Sequence, residues 1–599
     1  MIGDELARED ADFNMAYEVT DNGLVVGQVA VEVARPAGPT RVNRAFLYLT
    51  RALERFGLPG NQVVLLPSVD EAGLEIPSLA RDVNAQGWIV GEMGEPTPEF
   101  ATTLRRAAAW RLSGEGGIEV RRVPPLFGDP TETYGWLSAV SEGDKPWAAF
   151  TFAGGTCTMG GSSVSSETVA AVQLDAAPAP FVFRGLCAGC AESDVVVPTP
   201  DTVPSGRTIA RGISPNGGRM AGWREDCAFV SYCSFPANTR ARQWYLSSLC
   251  SGGDPSSCFS CISCITPDPV DDPSGTVNDS AAQQNAVLDN GIAAGFVADY
   301  WPGLAVSGNG CGPWAFVWKS IDPCTNPPAC GGGAGAPPLG KQLPIPNTLN
   351  LVGSEAYDIE LNANPAQGLC PGYFVVGEAR YEIPGKDEPA RRGHVWFAAE
   401  GGLLGDWTAA DINTLISPIP PVEDYSELVV RSLRGVNRNG DAVGMAEFKR
   451  ADQPTTAPPI RRAVLLRAVP QRLVGDINHD GAVGAADLTI LLNAWCPEGS
   501  TQRCNALSDL NCDGWIGAPD LAILLSNWSN TGGTAAFMQG GNPVPEGLAL
   551  DSEEDLEFSI QFVGLGNIEG YRAWAATAPA PLREIIDEFV WDITKGGVE

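Results

Sequence analysis

The chain has 599 residues, with 72 Asp plus Glu against 39 Lys plus Arg and a formal net charge of -33. Such a surface repels a phosphate backbone, which excludes nucleic acid as a partner, and the length exceeds what one hydrophobic core serves. Apolar residues at 44% with 69 Gly and 48 Pro describe a folded, turn-rich, mostly β chain, and no apolar run is long enough for a membrane span.

The first ten residues, MIGDELARED, are acidic where a secretory signal would be basic and then apolar. A phrase then recurs: AYEVTDNGLVVGQ from Ala16, ARDVNAQGWIVGE from Ala80, ARGISPNGGRMAGW from Ala210, NAVLDNGIAAGF from Asn285 and LRGVNRNGDAVGM from Leu433. A looser copy runs from Ala356 as AYDIELN and, after an insertion, PGYFVVGE. Each reads as a strand, a Gly-bearing turn and a second strand ending in Gly, which is a hairpin signal. An aromatic strand preceded by Arg follows in most copies, at Arg44, Arg106, Arg242 and Arg392, and in the last copy Arg462 precedes leucines. The unit is a sheet of three or four strands.

The strand-ending glycines Gly27, Gly91, Gly222, Gly295, Gly377 and Gly444 lie 64, 131, 73, 82 and 67 residues apart. The interval of 131 is two units long, and WLSAVSEGDKPWAAF from Trp136 with FVFR from Phe181 is the candidate for a hidden copy. Seven units are therefore expected over 14–468. Small antiparallel sheets leave edges and half-buried faces that radial repetition protects, so a seven-bladed β-propeller is expected, with an open solenoid or a jelly roll as alternatives. The phrase resembles the HAF-type extracellular repeat, and that resemblance implies a propeller-like fold outside the cell.

Only two histidines occur, His394 in a strand, read as structural, and His479, so His-dependent triads find no support. Glycoside hydrolysis needs only two carboxylates, which 72 acidic residues neither exclude nor assign, and the catalytic residues stay unknown. The recurring Arg is expected to pair with its own unit's acid, such as Glu18, Asp82 or Asp358; a ring of Arg binding an anionic glycan is the alternative. The acidic, Pro-rich stretch with Asp268, Asp271, Asp272 and Asp279 reads as a solvated loop.

Of 16 cysteines, 11 lie between Cys187 and Cys330, in loop-like sequence that marks disulfide-rich insertions around 187–330. Cys187-Ala-Gly-Cys190 and Cys258-Phe-Ser-Cys261-Ile-Ser-Cys264 have metal-like spacing, but no His lies near and a close fourth cysteine is absent. Disulfides in an extracellular or cell-surface protein, its signal peptide missing from this sequence, are the expectation.

Next come two near-identical stretches, GDINHDGAVGAADLTILLNAW from Gly475 and SDLNCDGWIGAPDLAILLSNW from Ser508. Asp476, Asn478, Asp480, the carbonyl of Ala482 and Asp487 stand at the ligand positions of a calcium loop, as do Asp509, Asn511, Asp513, the carbonyl of Trp515 and Asp520. Each loop runs into one helix whose apolar stripe is Leu488, Leu491, Leu492 and Trp495, or Leu521, Leu524, Leu525 and Trp528. Neither half can bury its stripe alone, whereas two pseudo-symmetric halves can bury both.

Residues 475–530 resemble a type I dockerin, a duplicated loop and helix with Asp at the last ligand position. The resemblance implies a small all-α domain folded by two calcium ions that docks to a cohesin-like module and often carries a polysaccharide-active enzyme or a binding module. Ala485-Ala486 and Ala518-Pro519 stand where familiar members carry hydroxyl groups, and CPEGSTQRC is an unusual insert. Cys496 and Cys504 flank it and are expected to be bonded to each other. Residues 531–599 form a short acidic segment with no function assigned.

The functional expectation is an extracellular, non-catalytic binding or scaffolding protein, attached through a calcium-dependent dockerin, whose propeller binds a glycan or cell-surface polymer. A glycoside hydrolase carrying a dockerin is the alternative.

Overall fold

In the computed structural model the described residues are 14–33, 38–70, 73–96, 103–114, 116–123, 134–159, 162–174, 182–185, 207–225, 239–245, 281–298, 313–319, 339–345, 351–362, 372–384, 389–399, 407–416, 425–450, 459–468, 475, 477, 483–496, 508–510 and 515–528. Two units are separated, one of residues 1–363 with 371–468 and one of 364–370 with 469–599. The cysteines of the insertions, the acidic stretch at 268–279, His479 and the segment 531–599 lie outside the described residues.

Every copy of the phrase that spells its turn with Gly folds by one local device. In the first, Thr20 N–H donates to Leu24 O and Gly23 N–H donates to Thr20 O, both at 2.9 Å. The same two bonds recur at Asn84 and Gly87, Ser214 and Gly217, Leu288 and Gly291, and Asn437 and Gly440. The turn glycines have φ of 84, 83, 70, 80 and 81°, the left-handed region in which a Cβ is strained. A short polar side chain opens most turns: Asn84 Oδ1 accepts from Gln86 and Trp88 N–H, and Asn437 Oδ1 from Asn439 and Asp441 N–H.

The second glycine of the phrase is not a strand end. Gly27 lies inside Leu24–Val33, Gly91 inside Trp88–Pro96 and Gly222 inside Arg219–Glu225. Its reason is on the facing strand. Each inner strand carries a bulge, at Tyr17, Arg81, Arg211, Asn285, Tyr357 and Arg434, between register pairs such as Ala80 with Gly91 and Asp82 with Val90. The kink drives a carbonyl over the opposite Cα. A Cβ at Gly91 would meet Leu79 O at 1.9 Å, and at Gly222 it would meet Ile209 O at 2.0 Å, with 1.9 to 2.1 Å at the other four. Glycine is required there by close approach.

The strands form seven antiparallel sheets in chain order, spanning 15–65, 78–122, 135–185, 207–245, 281–342, 351–411 and 425–466. Six carry the glycine phrase. The third does not, so the hidden copy expected between Gly91 and Gly222 is a sheet of other sequence, with Phe150 opposite Leu137 where the others have Gly. It keeps the bulge, at Ser138.

Neighbouring sheets share cores. Leu24, Leu47 and Leu66 pack with Ile89 and Trp110; Trp88 and Val90 with Leu137 and Phe150; Ala149 and Ala171 with Ile213 and Met220; Ala221 with Val287 and Ala293. Val317 and Leu343 pack with Ile359 and Trp396, and Val376 with Val430 and Leu433. Val25, Val29 and Phe46 of the first sheet pack with Val443 and Ala463 of the last, which gives the propeller arrangement.

In the other unit, matched residues of the two halves form one core. Ile477, Val483 and Leu491 pack with Leu510, Ile516 and Leu524, each pair 33 residues apart. The helices are Ala485–Asn493 and Ala518–Ser526. Of the expected stripes, only Leu491 and Leu524 are fully enclosed; Leu488, Leu492, Trp495 and their counterparts are partly buried around them.

Candidate functional site

Two places gather polar chemistry. In the sheet unit, the inner strands and their turns line a cavity of about 680 Å³. The bulge makes two successive residues of each inner strand reach it. Tyr17, Arg81, Ser138, Arg211, Asn285, Tyr357 and Arg434 form one layer, and Glu18, Asp82, Ala139, Gly212, Ala286 and Asp358 the next, where Gly435 holds the last sheet's position. Three carboxylates therefore stand on the first, second and sixth sheets, facing small residues on the third, fourth and fifth.

These acids are bound by backbone, not by the recurring Arg. Asp82 accepts from Val83 N–H and from Val140 N–H of the next sheet, both at 2.6 Å. Asp358 accepts from Ile359 N–H at 2.8 Å and from Val436 N–H of the next sheet at 2.9 Å. Glu18 accepts from Val19 N–H at 2.9 Å. The expected partners Glu18, Asp82 and Asp358 are corrected, although Arg392 does meet an acid of its own sheet: Arg44 pairs with Glu75 at 2.9 Å and donates to Leu66 O, and Arg392 pairs with Asp411 at 2.9 Å. Arg44 and Arg462 are 3% and 0% exposed, whereas Arg392 is exposed beside Asp411.

Burial pushes the Asp82 carboxyl up to about 8 and Asp358 to about 6, against the backbone bonds that lower them. Glu18 is held well above its ordinary value by burial first and then by Asp358 and Asp82. One turn further out, Glu360 is raised to about 7 by burial and by Asp358, and Glu142 is raised by burial. Arg438 pairs with Glu360 at 3.1 Å and lies 3.8 Å from Asp21.

The layer of Arg and Tyr is fixed from behind. The Arg434 guanidinium stacks on Tyr357 at 3.6 Å, and the Tyr357 hydroxyl donates to Glu355 at 2.6 Å. Arg380 bridges Glu355 and Glu378, and Arg81 reaches Glu92 at 3.3 Å. His394 is enclosed, with Tyr381 Oη at 3.3 Å and Arg392 O at 3.2 Å, and burial lowers its pKa; it is a structural residue. The sequence alone suggests Arg partners for Glu18, Asp82 and Asp358; the bulge that gathers them has no sequence signal beyond the glycine opposite.

The second place is the duplicated loop and helix. Asp487 and Asp520 are the third residues of their helices, and each accepts the N–H of the glycine before its helix, Gly484 at 2.9 Å and Gly517 at 2.8 Å. Asp520 also accepts from Leu510 N–H at 2.7 Å. Asp487, Asp509 and Asp520 are 1%, 9% and 0% exposed. Asp476, Asn478, Asp480, Ala482, Asn511 and Asp513 lie outside the described residues.

Within 475–528 Arg503 is the one Lys or Arg in the sequence, so buried carboxylates concentrate here without matching positive charge. An all-oxygen donor set of this kind fits a calcium ion. Cys496 is disulfide-bonded, and its backbone pairs with Ile516 in both directions, at 3.0 and 2.9 Å; Cys504 lies outside the described residues. Ala485, Ala486, Ala518 and Pro519 are exposed at the helix starts. Among the described residues no helix is long and apolar enough to cross a membrane.

No curated protein matches the chain. Residues 474–527 match the dockerin type I domain. The duplicated loops, the paired helices and their joint core agree with that match, and this stretch of the chain is a type I dockerin domain, which implies calcium-dependent docking to a cohesin.

Proposed function

We propose that the protein is an extracellular binding or scaffolding protein in which the dockerin supplies attachment and the sheet unit supplies recognition without catalysis. The observation that carries the reading is the pair of dockerin halves with buried Asp487 and Asp520 at matched helix starts. Two calcium ions would be held by Asp476, Asn478, Asp480, the Ala482 carbonyl and Asp487, and by Asp509, Asn511, Asp513, the Trp515 carbonyl and Asp520. Bound calcium supplies the positive charge that lets these carboxylates converge. The chain itself contributes the rest: Asp487 and Asp520 also cap helices, so closing a loop and starting a helix are one event.

The seven sheets act as blades of one closed ring. Support comes from the shared cores and from turn-to-turn bonds that return to the start, with Asn437 Nδ2 donating to Thr20 O and Arg438 N–H to Asp21. The Cys496 disulfide closes on Cys504 across the insert.

The test is capture of the full chain on immobilised cohesin modules, in calcium and in chelator. Capture in calcium that chelator abolishes is expected; no capture by any of a panel of cohesins would overturn the attachment role. Reducing sugar released from polysaccharides by the full chain would overturn the non-catalytic role and leave attachment standing.

A further inference from the structure

The axial cavity is floored with arginine. Its lining begins at the bulge residues, among them Arg81, Arg211 and Arg434 with Tyr17 and Tyr357, and runs out to the turn residues Asp21, Ala85, Glu142 and Asn216. The residues before the bulges, Ala16, Ala80, Ala210 and Ala356, are fully enclosed, so the arginine layer is the closed end and the turns are the mouth. The volume of about 680 Å³ lies within the range of about 300 to 1,000 Å³ that small-molecule sites span.

The closed end carries more positive charge than the chain answers. Behind the layer stand Glu92, Glu355 and Glu378. Among the described residues five guanidinium groups meet these three carboxylates, those of Arg81, Arg105, Arg380, Arg391 and Arg434. Arg81 Nε and Arg434 Nε are enclosed and hydrogen-bond nothing in the chain, so donors outnumber acceptors there. Arg211 is exposed on the cavity wall, where an occupant meets it.

The acids one step above leave this charge in place. Burial holds Asp82 at about 8 and Glu18 well above its ordinary value, and only Asp358, at about 6, is largely ionised in neutral solution. Both Asp82 oxygens already accept backbone N–H, so the proton it holds is left for an occupant. Beside these carboxyls the wall is Ala139, Gly212 and Ala286, a mixture of hydrogen-bonding and small apolar groups that suits a ring bearing hydroxyls and C–H edges. The mouth has the opposite sign, with Asp21, Glu142, Asp289 and Glu360 around Arg438. A polyanion laid across it is repelled, whereas a compound with one carboxylate can enter end-on.

We propose that this cavity binds a hexuronate, a pyranose ring with a single carboxylate, which meets Arg81, Arg211 and Arg434 at the floor while the ring hydroxyls meet Asp82 and Asp358. The inference deepens the non-catalytic reading of the sheet unit by naming its ligand class, and it rests on that reading.

The experiment is calorimetric titration of the full chain in calcium with glucuronate, galacturonate, glucose, acetate and glucosamine. One-to-one binding of at least one uronate is expected, at least tenfold tighter than glucose or acetate, with no heat from glucosamine. Arg211→Gln removes an exposed charge, so it is expected to weaken the uronate at least tenfold while the melting temperature of the free protein is kept. Arg81→Gln serves if that variant does not fold, with a similar loss expected. No uronate bound, equal binding of glucose, acetate or glucosamine, or uronate affinity unchanged in the folded variants overturns the proposal. Cohesin capture that persists in that case keeps the attachment role. A uronate-ended oligosaccharide followed by NMR separates the two readings: bound but shortened, it overturns the non-catalytic role and keeps the site.

Discussion

The two described regions are both internal repeats, and they solve the problem of a small repeat in opposite ways. The middle strands of the sheets are buried on both sides, because neighbouring sheets share cores and the last meets the first. The dockerin has only two copies, so its core is a few matched residues around Leu491 and Leu524. Its carboxylates are buried where apolar residues would otherwise be. A many-membered ring can rely on shape alone; a pair has to rely on an ion.

Removing calcium should break the comparison most sharply. In chelator, and equally in the double variant Asp487→Ala with Asp520→Ala, the dockerin is expected to lose its helical circular dichroism while the β signal of the sheets persists. Helical signal unchanged in chelator would mean that the pair holds by packing after all.

Next in size is the glycine under the bulge. Gly222→Val puts a side chain where Ile209 O lies 2.0 Å from a Cβ, and it should destabilise the sheet unit by about 3 kcal/mol or more in denaturant unfolding. The dockerin transition should not move.

Closure of the ring is tested at Asn437, which is 3% exposed and bonds both its own turn and Thr20 O. Asn437→Ala should cost about 2 kcal/mol, and limited proteolysis of the wild type should give no stable half of the sheet unit. Two durable halves would show an open stack instead of a ring.

A pH series sharpens the contrast because the buried acids of the sheet unit hold protons in the folded state. Asp82 at about 8 and Asp358 at about 6 stand above an unfolded value of about 3.9, so between these limits the folded sheets hold protons that the unfolded chain releases. This contribution to stability is complete below the unfolded value and is lost as pH rises through the folded ones, so the sheet unit should melt at a higher temperature at pH 5 than at pH 8. A sheet unit that melts no higher at pH 5 than at pH 8 in calorimetry would contradict the assignment.

The smallest effect is at Gly484, where a Cβ would meet nothing within 4 Å and the backbone is extended. Gly484→Ser should stabilise the dockerin by about 0.3 kcal/mol through a better helix cap, visible as a small rise in its melting temperature.

The dockerin was legible residue by residue because calcium loops and single helices are local: ligand spacing, glycine turn and apolar stripe lie within one short stretch. The turn glycines of the sheets were legible for the same reason, as Gly23 and Gly291 act on neighbours in sequence. The strand glycine was read as a strand end since nothing local distinguishes an end from a close approach; its cause, the carbonyl of a bulged partner strand, depends on register. The third sheet was found only as a gap in spacing, and Phe150 shows that its strand pairing does not need the phrase.

What the sequence determined by itself was therefore the order of elements, the repeat length, the turn chemistry and the calcium-loop pattern, all set by contacts a few residues apart. Tertiary structure decided where Glu18, Asp82 and Asp358 went. They are 64 and 276 residues apart along the chain, and only seven bulges at one level of seven inner strands turn them toward one axis. It also decided that Arg44 would meet Glu75 and not Glu18, because the two faces of a strand, fixed by register and twist, separate side chains that a linear reading places side by side.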